Sequence, residues 1–125
     1  MRLLLDTHAV LWAIGSPATL TDQARDAIKD PDNLILVSAV SAWEIAIKVA
    51  LGKLVFAGSV SEHVVANDFT PLPISLAHAE GIGDLPPVHS DPFDRLLVSQ
   101  ALAEDAVIVT RDRHLAGYDV RILPA

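Results

Sequence analysis

Short runs of unbroken apolar residues alternate along this chain with longer segments in which apolar positions return every three or four residues. Such alternation of strand and helix predicts an α/β fold. The short runs are Leu3 to Leu5, Leu34 to Val37 and Val107 to Val109. None shows the apolar-polar alternation of a half-exposed strand, so each reads as a strand buried on both faces, as in a parallel sheet. Phe69 to Ile74 contains Pro71 and Pro73 and reads as an extended segment at a sheet edge or turn. Val120 to Leu123 reads as a closing strand.

The segments between them carry helix signals. Thr7 to Ile14 reads as a short helix with Asp6 as its N-cap and Gly15-Ser16-Pro17 as its stop. Thr21 caps a second helix running to Lys29, with Leu20, Ala24 and Ile28 at inward positions, and Asp30-Pro31-Asp32-Asn33 forms a turn. Ser38 to Leu51 reads as a helix closed by Gly52 and apolar almost all round, which calls for cover from the sheet and from a partner chain. Ser61 to Asp68 and Ser75 to Gly81 are weaker helices, and Gly83 to Ser90 is a loop. Asp91-Pro92-Phe93-Asp94 opens the best-marked helix, with Asp91 as N-cap, Pro92 at the first helical position and Asp94 three residues past the cap; it continues to Glu104. Thr110 to His114 opens a last short helix. No repeat, linker or low-complexity segment interrupts the series.

Composition narrows the function classes. A chain of 125 residues suits one ordinary domain, and with 51% apolar and 20% charged residues it reads as a globular one. No apolar run approaches the roughly eighteen residues that cross a bilayer. Met1-Arg2 leads straight into the first strand with no room for a signal peptide, so a cytoplasmic protein without membrane attachment is expected. The absence of cysteine excludes disulfides, a thiolate nucleophile and thiolate metal ligation. A net charge of -7 argues against a broad basic surface for nucleic acid, unless several acids form a divalent-metal site that inverts the local charge.

Four carboxylates occupy equivalent places in the alternation. Asp6 follows the first strand, Glu44 lies in the helix after the second, Asp94 sits in a helix's first turn, and Asp112 follows the Val107 strand. In an open parallel sheet these places share the edge where ligands bind. Each acid also has a structural reading: Asp6 as an N-cap, Glu44 in a capping box with Ser41, Asp94 in one with Asp91, Asp112 as an acid favoured by a helix dipole. As a set they are costly. Carboxylates about 5 Å apart repel by roughly 3 kcal/mol per pair at an effective dielectric near 20. Protonation or a cation must relieve that repulsion, and oxygen-only ligands point to Mg²⁺ or Mn²⁺. The chemistry such an ion performs without a protein nucleophile is hydrolysis, by lowering the pKa of a bound water and stabilising the leaving oxygen of a phosphodiester.

Leu3-Leu4-Leu5-Asp6-Thr7-His8, Ser38-Ala39-Val40-Ser41-Ala42-Trp43-Glu44-Ile45, Asp91-Pro92-Phe93-Asp94-Arg95-Leu96-Leu97 and Val109-Thr110-Arg111-Asp112 together resemble the successive motifs of a PIN domain of the VapC-type toxin family. The resemblance covers nearly the whole chain. It implies a three-layer α/β fold with a central, mostly parallel sheet flanked by helices. It also implies an endoribonuclease in which Asp6, Glu44, Asp94 and Asp112 hold Mg²⁺ or Mn²⁺, leaving a 5'-phosphate and a 3'-hydroxyl. A homodimer silenced by a VapB-type antitoxin is implied as well.

Several neighbours remain open. Asp91 is read as the cap or as a residue supporting the metal ligands. Thr110 is read either as a hydrogen-bond donor to a ligand carboxylate or water, or as the N-cap of the last helix. Arg95, Arg111 and Arg113 are candidates for RNA phosphates, or for ion pairs with surplus carboxylates. Lys48 stands one turn after Glu44. His8, His89 and His114 flank the site as possible acid-base groups, whereas His63 and His78 carry no signal. Trp12 and Trp43 read as core residues or as part of a groove for an antitoxin helix. Two rival functions stand beside the nuclease: a non-catalytic PIN-like scaffold that binds protein, and a metal-dependent phosphatase acting on small phosphoesters.

Overall fold

The computed structural model describes residues 1–125. Five strands form one sheet: β1 (Arg2–Leu5), β2 (Leu34–Ser38), β3 (Thr70–Leu72), β4 (Val107–Thr110) and β5 (Ile122–Pro124). Their spatial order is β3-β2-β1-β4-β5 and every neighbouring pair is parallel. Parallel pairing requires a crossover after each strand. The crossovers are built from α1 (Thr7–Gly15), α2 (Asp22–Lys29), α3 (Ala39–Ala50), α4 (Val60–Ala66), α5 (Leu76–Gly81) and α6 (Pro92–Glu104). No helix is long and apolar enough to cross a membrane.

The unbroken apolar strands have their explanation in two cores. Leu3 and Leu5 point to one face of the sheet, where they pack with Val37, Val109 and α1 residues Ala9 and Val10. Leu4 points to the other, with Leu36, Ile108 and the α6 residues Leu97, Val98 and Ala101. All three leucines are completely buried, and at about 1.5–3 kcal/mol each they anchor the centre of the sheet. Helix α3 contributes Ile45 to the first core and Val40 to the second. The expected three layers are therefore present.

Pro71 stands in β3, where it cannot donate to a ladder; it is tolerated because β3 is an edge strand with a neighbour on one side only. Two expectations change. The last helix is a 3₁₀ turn, Arg113–Gly117, capped by Asp112 rather than Thr110. The closing strand begins at Ile122, because register pairs Ile108 with Ile122 and Thr110 with Pro124. Val120 packs against the second core instead of joining the ladder.

Candidate metal centre

The strand order fixes where a ligand site can form. From central β1 the chain moves outward through β2 and β3, then crosses to β4 and β5 on the other side. The order thus reverses between β1 and β4, and in open α/β sheets the crevice for ligands opens at the C-terminal ends of the strands at such a switch point. Asp6 leaves β1 there and Thr110 ends β4 there. The two are joined directly: the Asp6 amide donates to the Val109 carbonyl at 3.1 Å, and the Thr110 hydroxyl donates to Asp6 Oδ2 at 2.6 Å.

Asp6 is almost completely buried and does cap α1, its Oδ1 accepting from the Ala9 amide at 2.8 Å. Burial pushes its carboxyl above the ordinary aspartate range, the Asp112 charge adds to this, and the bonds from Thr110 and Ala9 oppose it. Thr110 also accepts from the Asp112 amide at 3.0 Å, so one hydroxyl sets the spacing of two acids. The hydrogen-bonding reading of Thr110 describes its position, and the capping reading does not.

Asp94 projects from the first turn of α6. It does not close the expected capping box. Asp91 caps the helix by accepting from the Phe93 and Asp94 amides at 2.9 and 3.3 Å, while the Asp94 carboxylate turns to His89 Nε2 at 3.4 Å. Its pKa is raised to about 6, first by burial and then by the Asp91 charge, with smaller contributions from Asp112 and Asp6 against the bond from His89. Asp112 is raised by burial too, but the His114 amide and ring, each 2.9 Å from its Oδ1, outweigh this and bring it below the ordinary range. These mutual influences place Asp6, Asp94, Asp112 and Asp91 within one electrostatic neighbourhood.

Glu44 is placed differently from the expectation. Helix α3 starts earlier than a Ser41 cap requires, with Ser38 capping it through the Val40 amide. Ser41 is therefore inside the helix, and the Glu44–Ser41 box does not exist. The Glu44 carboxylate instead accepts from Thr7 Oγ1 at 2.8 Å and pairs with Lys48 Nζ at 2.8 Å. It is connected to Asp6 through the next residue in sequence, and its charge is answered by Lys48. The expected mutual repulsion of four bare carboxylates is thus concentrated in three of them.

The arginines beside the acids mainly hold backbone. Arg95 donates to the carbonyls of Pro86, His89 and Ile82 and to the Tyr118 hydroxyl. Arg111 donates to the carbonyls of Ala125 and Thr19 and lies 4.2 Å from the Trp12 ring centroid. Neither forms an ion pair with an acidic side chain; Arg95 is half-buried among its carbonyl partners, whereas Arg111 is exposed. Trp12 also stacks on His8, and Trp43 is 52% exposed with its ring against Phe93.

One site neighbour escaped the oxygen-only expectation. A ring nitrogen of His89, Asp94 and Asp112 offer ligand atoms that all lie within 4.8 Å of one another. The loop carrying His89 is brought there by close packing on the 3₁₀ turn: a Cβ on Gly117 would meet Val88 at 2.7 Å. Tyr118 was not singled out in the sequence, yet its hydroxyl holds His89 Nδ1 at 2.8 Å. Two neighbouring carboxylates, of which Asp94 is raised by burial and nearby charge, beside an imidazole form a donor set suited to a divalent cation.

With the fold and this geometry in place, the class of protein is defined: the chain belongs to the PIN domain family, whose profile matches residues 3–120. It is 32% identical to Ribonuclease VapC22 of Mycobacterium tuberculosis over 124 residues, covering 93% of this chain and 91% of that protein. Among solved structures, VapBC2 from Rickettsia felis bound to a promoter DNA fragment superposes with a TM-score of 0.69 at 18% identity, covering 98% of each chain. VapBC-5 from Mycobacterium tuberculosis gives 0.62 at 16% identity, covering 99% of this chain and 98% of that one. These two likenesses are of fold.

Proposed function

We propose that this chain is a VapC-type ribonuclease that hydrolyses RNA phosphodiester bonds with a divalent cation held by Asp6, Asp94 and Asp112, with Glu44 completing the set. The observation that carries the reading is the gathering of acids at the β1/β4 switch point: buried Asp6 is tied by the Thr110 hydroxyl that also accepts from the Asp112 amide, and Asp94 and Asp112 offer donor atoms within 4.8 Å of one another and of a His89 ring nitrogen. Such an arrangement costs folding energy unless a cation answers it. The relationship to Ribonuclease VapC22 supplies the reaction class.

The chain's residues divide the work. Thr110 and the Ala9 amide fix Asp6 so that the carboxylate is aimed from a packed strand rather than a loop. Thr7 and Lys48 hold Glu44 on the adjoining side. A bound Mg²⁺ or Mn²⁺ supplies an acidified water and charge stabilisation for the leaving oxygen. With a net charge of -7, the chain offers no broad basic surface for RNA, and a cation held by these acids would supply the positive charge a phosphate needs there.

In this reading the protein works in the cytoplasm beside a VapB-type antitoxin, in keeping with the VapBC complexes that share its fold. The exposed apolar residues Trp43 and Ile47 on one side of α3, and on the other the groove between α3 and α4 that includes Ala42, Val49 and Val60, are the surfaces such a partner covers. A second copy of the chain completes the proposed assembly. The test is cleavage of a mixed RNA substrate by the purified chain with Mn²⁺ and with chelator. Cleavage that requires the ion and disappears in Asp6→Asn supports the reading; equal cleavage in chelator by wild type and variant refutes it.

A further inference from the structure

We infer that His89 is a nitrogen ligand of the cation held by Asp94 and Asp112, making this a mixed nitrogen-oxygen centre that favours Zn²⁺, Co²⁺ and Mn²⁺ over Mg²⁺. The inference rests on the reading of these aspartates as metal ligands.

Distance comes first. Donors to one ion at bond lengths of about 2.1 Å lie at most about 4.2 Å apart. The three donor atoms already lie within 4.8 Å, so small side-chain rotations close the site. The existing contact between His89 Nε2 and Asp94 Oδ2 is 3.4 Å, well beyond the 2.7–2.9 Å or so of a strong charge-assisted bond. The Nε2 edge therefore faces the Asp94 carboxylate without being well satisfied by it, and Asp112 belongs to the same group of donors.

The second argument is what stands behind the ring. A metal-binding histidine characteristically donates its other ring N–H to a fixed acceptor, which sets tautomer and orientation. His89 Nδ1 faces the Tyr118 hydroxyl at 2.8 Å, and Tyr118 is buried. Arg95 donates to the same oxygen at 3.0 Å and to three carbonyls at or near the His89 loop. A phenol oxygen has two lone pairs, so it accepts from Arg95 and from Nδ1–H together. With Nδ1 engaged by Tyr118, the Nε2 edge is the one left on the side of Asp94. The His114 ring stacks against His89 with centroids 6.3 Å apart and bonds Asp112 on the other side. These contacts hold His89 in place from several directions.

The consequence is selectivity. Mg²⁺ takes oxygen donors in a strict octahedron and keeps its waters, whereas imidazole suits the later first-row ions. The experiment is calorimetric titration of the metal-stripped full chain with Zn²⁺ and with Mg²⁺, for wild type and His89→Gln. It is paired with long-range ¹H–¹⁵N NMR of the histidine ring nitrogens on adding Zn²⁺. Expected are a loss of Zn²⁺ affinity of about 10-fold or more in His89→Gln with Mg²⁺ affinity nearly unchanged, and a coordination shift of His89 Nε2 in the wild type. Tyr118→Phe should show the same selectivity change in weaker form. Zn²⁺ binding that is unaltered by His89→Gln, with the Nε2 resonance unmoved, overturns the role of His89 alone. Failure of wild type to bind any divalent ion overturns that role together with the carboxylate reading beneath it.

Discussion

Helix α6 carries two polar clusters, a partly buried one in its first turn and a buried one in its middle, and they are built on opposite principles. In the middle, Gln100 is completely buried and accepts from the Ser38 hydroxyl, while its amide donates toward the Pro73 carbonyl and His78 Nδ1 at 3.3 Å each. His78 Nδ1 also accepts from the Ser75 amide, its Nε2 reaches Glu104, and Ser99 donates to its carbonyl. Uncharged donors and acceptors dominate, and they answer one another. In the first turn, Asp94 faces Asp91, Asp112 and Asp6, all of the same sign. Every buried side-chain nitrogen and oxygen in the protein has a hydrogen-bond partner, so the difference is one of charge rather than of missing bonds. A satisfied network locks α3, α5 and α6 together. A repelling cluster is retained because something other than folding needs it.

Breaking the repelling cluster should cost function and spare the fold. Asp6→Asn or Asp94→Asn is expected to reduce RNA cleavage below detection, a loss of several kcal/mol of transition-state stabilisation, while circular dichroism stays unchanged. Breaking the satisfied network should do the reverse. Gln100→Leu strands the Ser38 hydroxyl and weakens the hold on His78, so urea unfolding should show a loss of about 2–4 kcal/mol, with the folded fraction still active.

The clusters should also differ in their response to pH. The Asp94 carboxyl keeps its proton up to about pH 6 in the folded protein, whereas the unfolded chain releases it near pH 4. Between these values the folded state binds more protons, so stability of the metal-free protein should fall as pH rises through that window. Asp94 contributes this loss, with Asp6 acting in the same direction. Urea midpoints measured across that range, with and without Mn²⁺, check the sign, since the cation should remove most of the slope. A smaller effect is expected of Thr110→Val, which deletes the hydroxyl bonded to Asp6. It should cost about 1 kcal/mol and weaken Mn²⁺ binding by about 10-fold.

What could be read from the sequence follows from range. Leu3 to Leu5 declared a strand buried on both faces because each residue's neighbours enforce it, and Asp91-Pro92 declared the start of α6 by local capping chemistry. The acids were recognisable as a set because strand ends converge in a parallel sheet. Their individual bonds were not. Ser38 and Ser41 are both suitable caps, and the choice between them comes with the bond from Ser38 to Gln100, sixty-two residues away. Asp94 could equally have closed a box with Asp91; it turns away toward a histidine held by Tyr118. The carbonyl partners of Arg95 and Arg111 lie at distant loops and at Ala125, beyond the reach of local pattern. Gln100 stands at helical spacing with Phe93, Leu97 and Ala101, so its inward face was legible though its partners were not, and His78 carries no such signal.

The account's central claim is that the carboxylates at the β1/β4 switch point are a destabilising cluster kept for a cation. Thermal unfolding of wild type and Asp94→Asn at neutral pH, metal-free and with Mn²⁺, tests it most directly. The prediction is that metal-free Asp94→Asn is at least as stable as wild type, and that Mn²⁺ raises the melting temperature of wild type only. A metal-free Asp94→Asn that melts well below wild type, with the same Mn²⁺ response in both proteins, would contradict it.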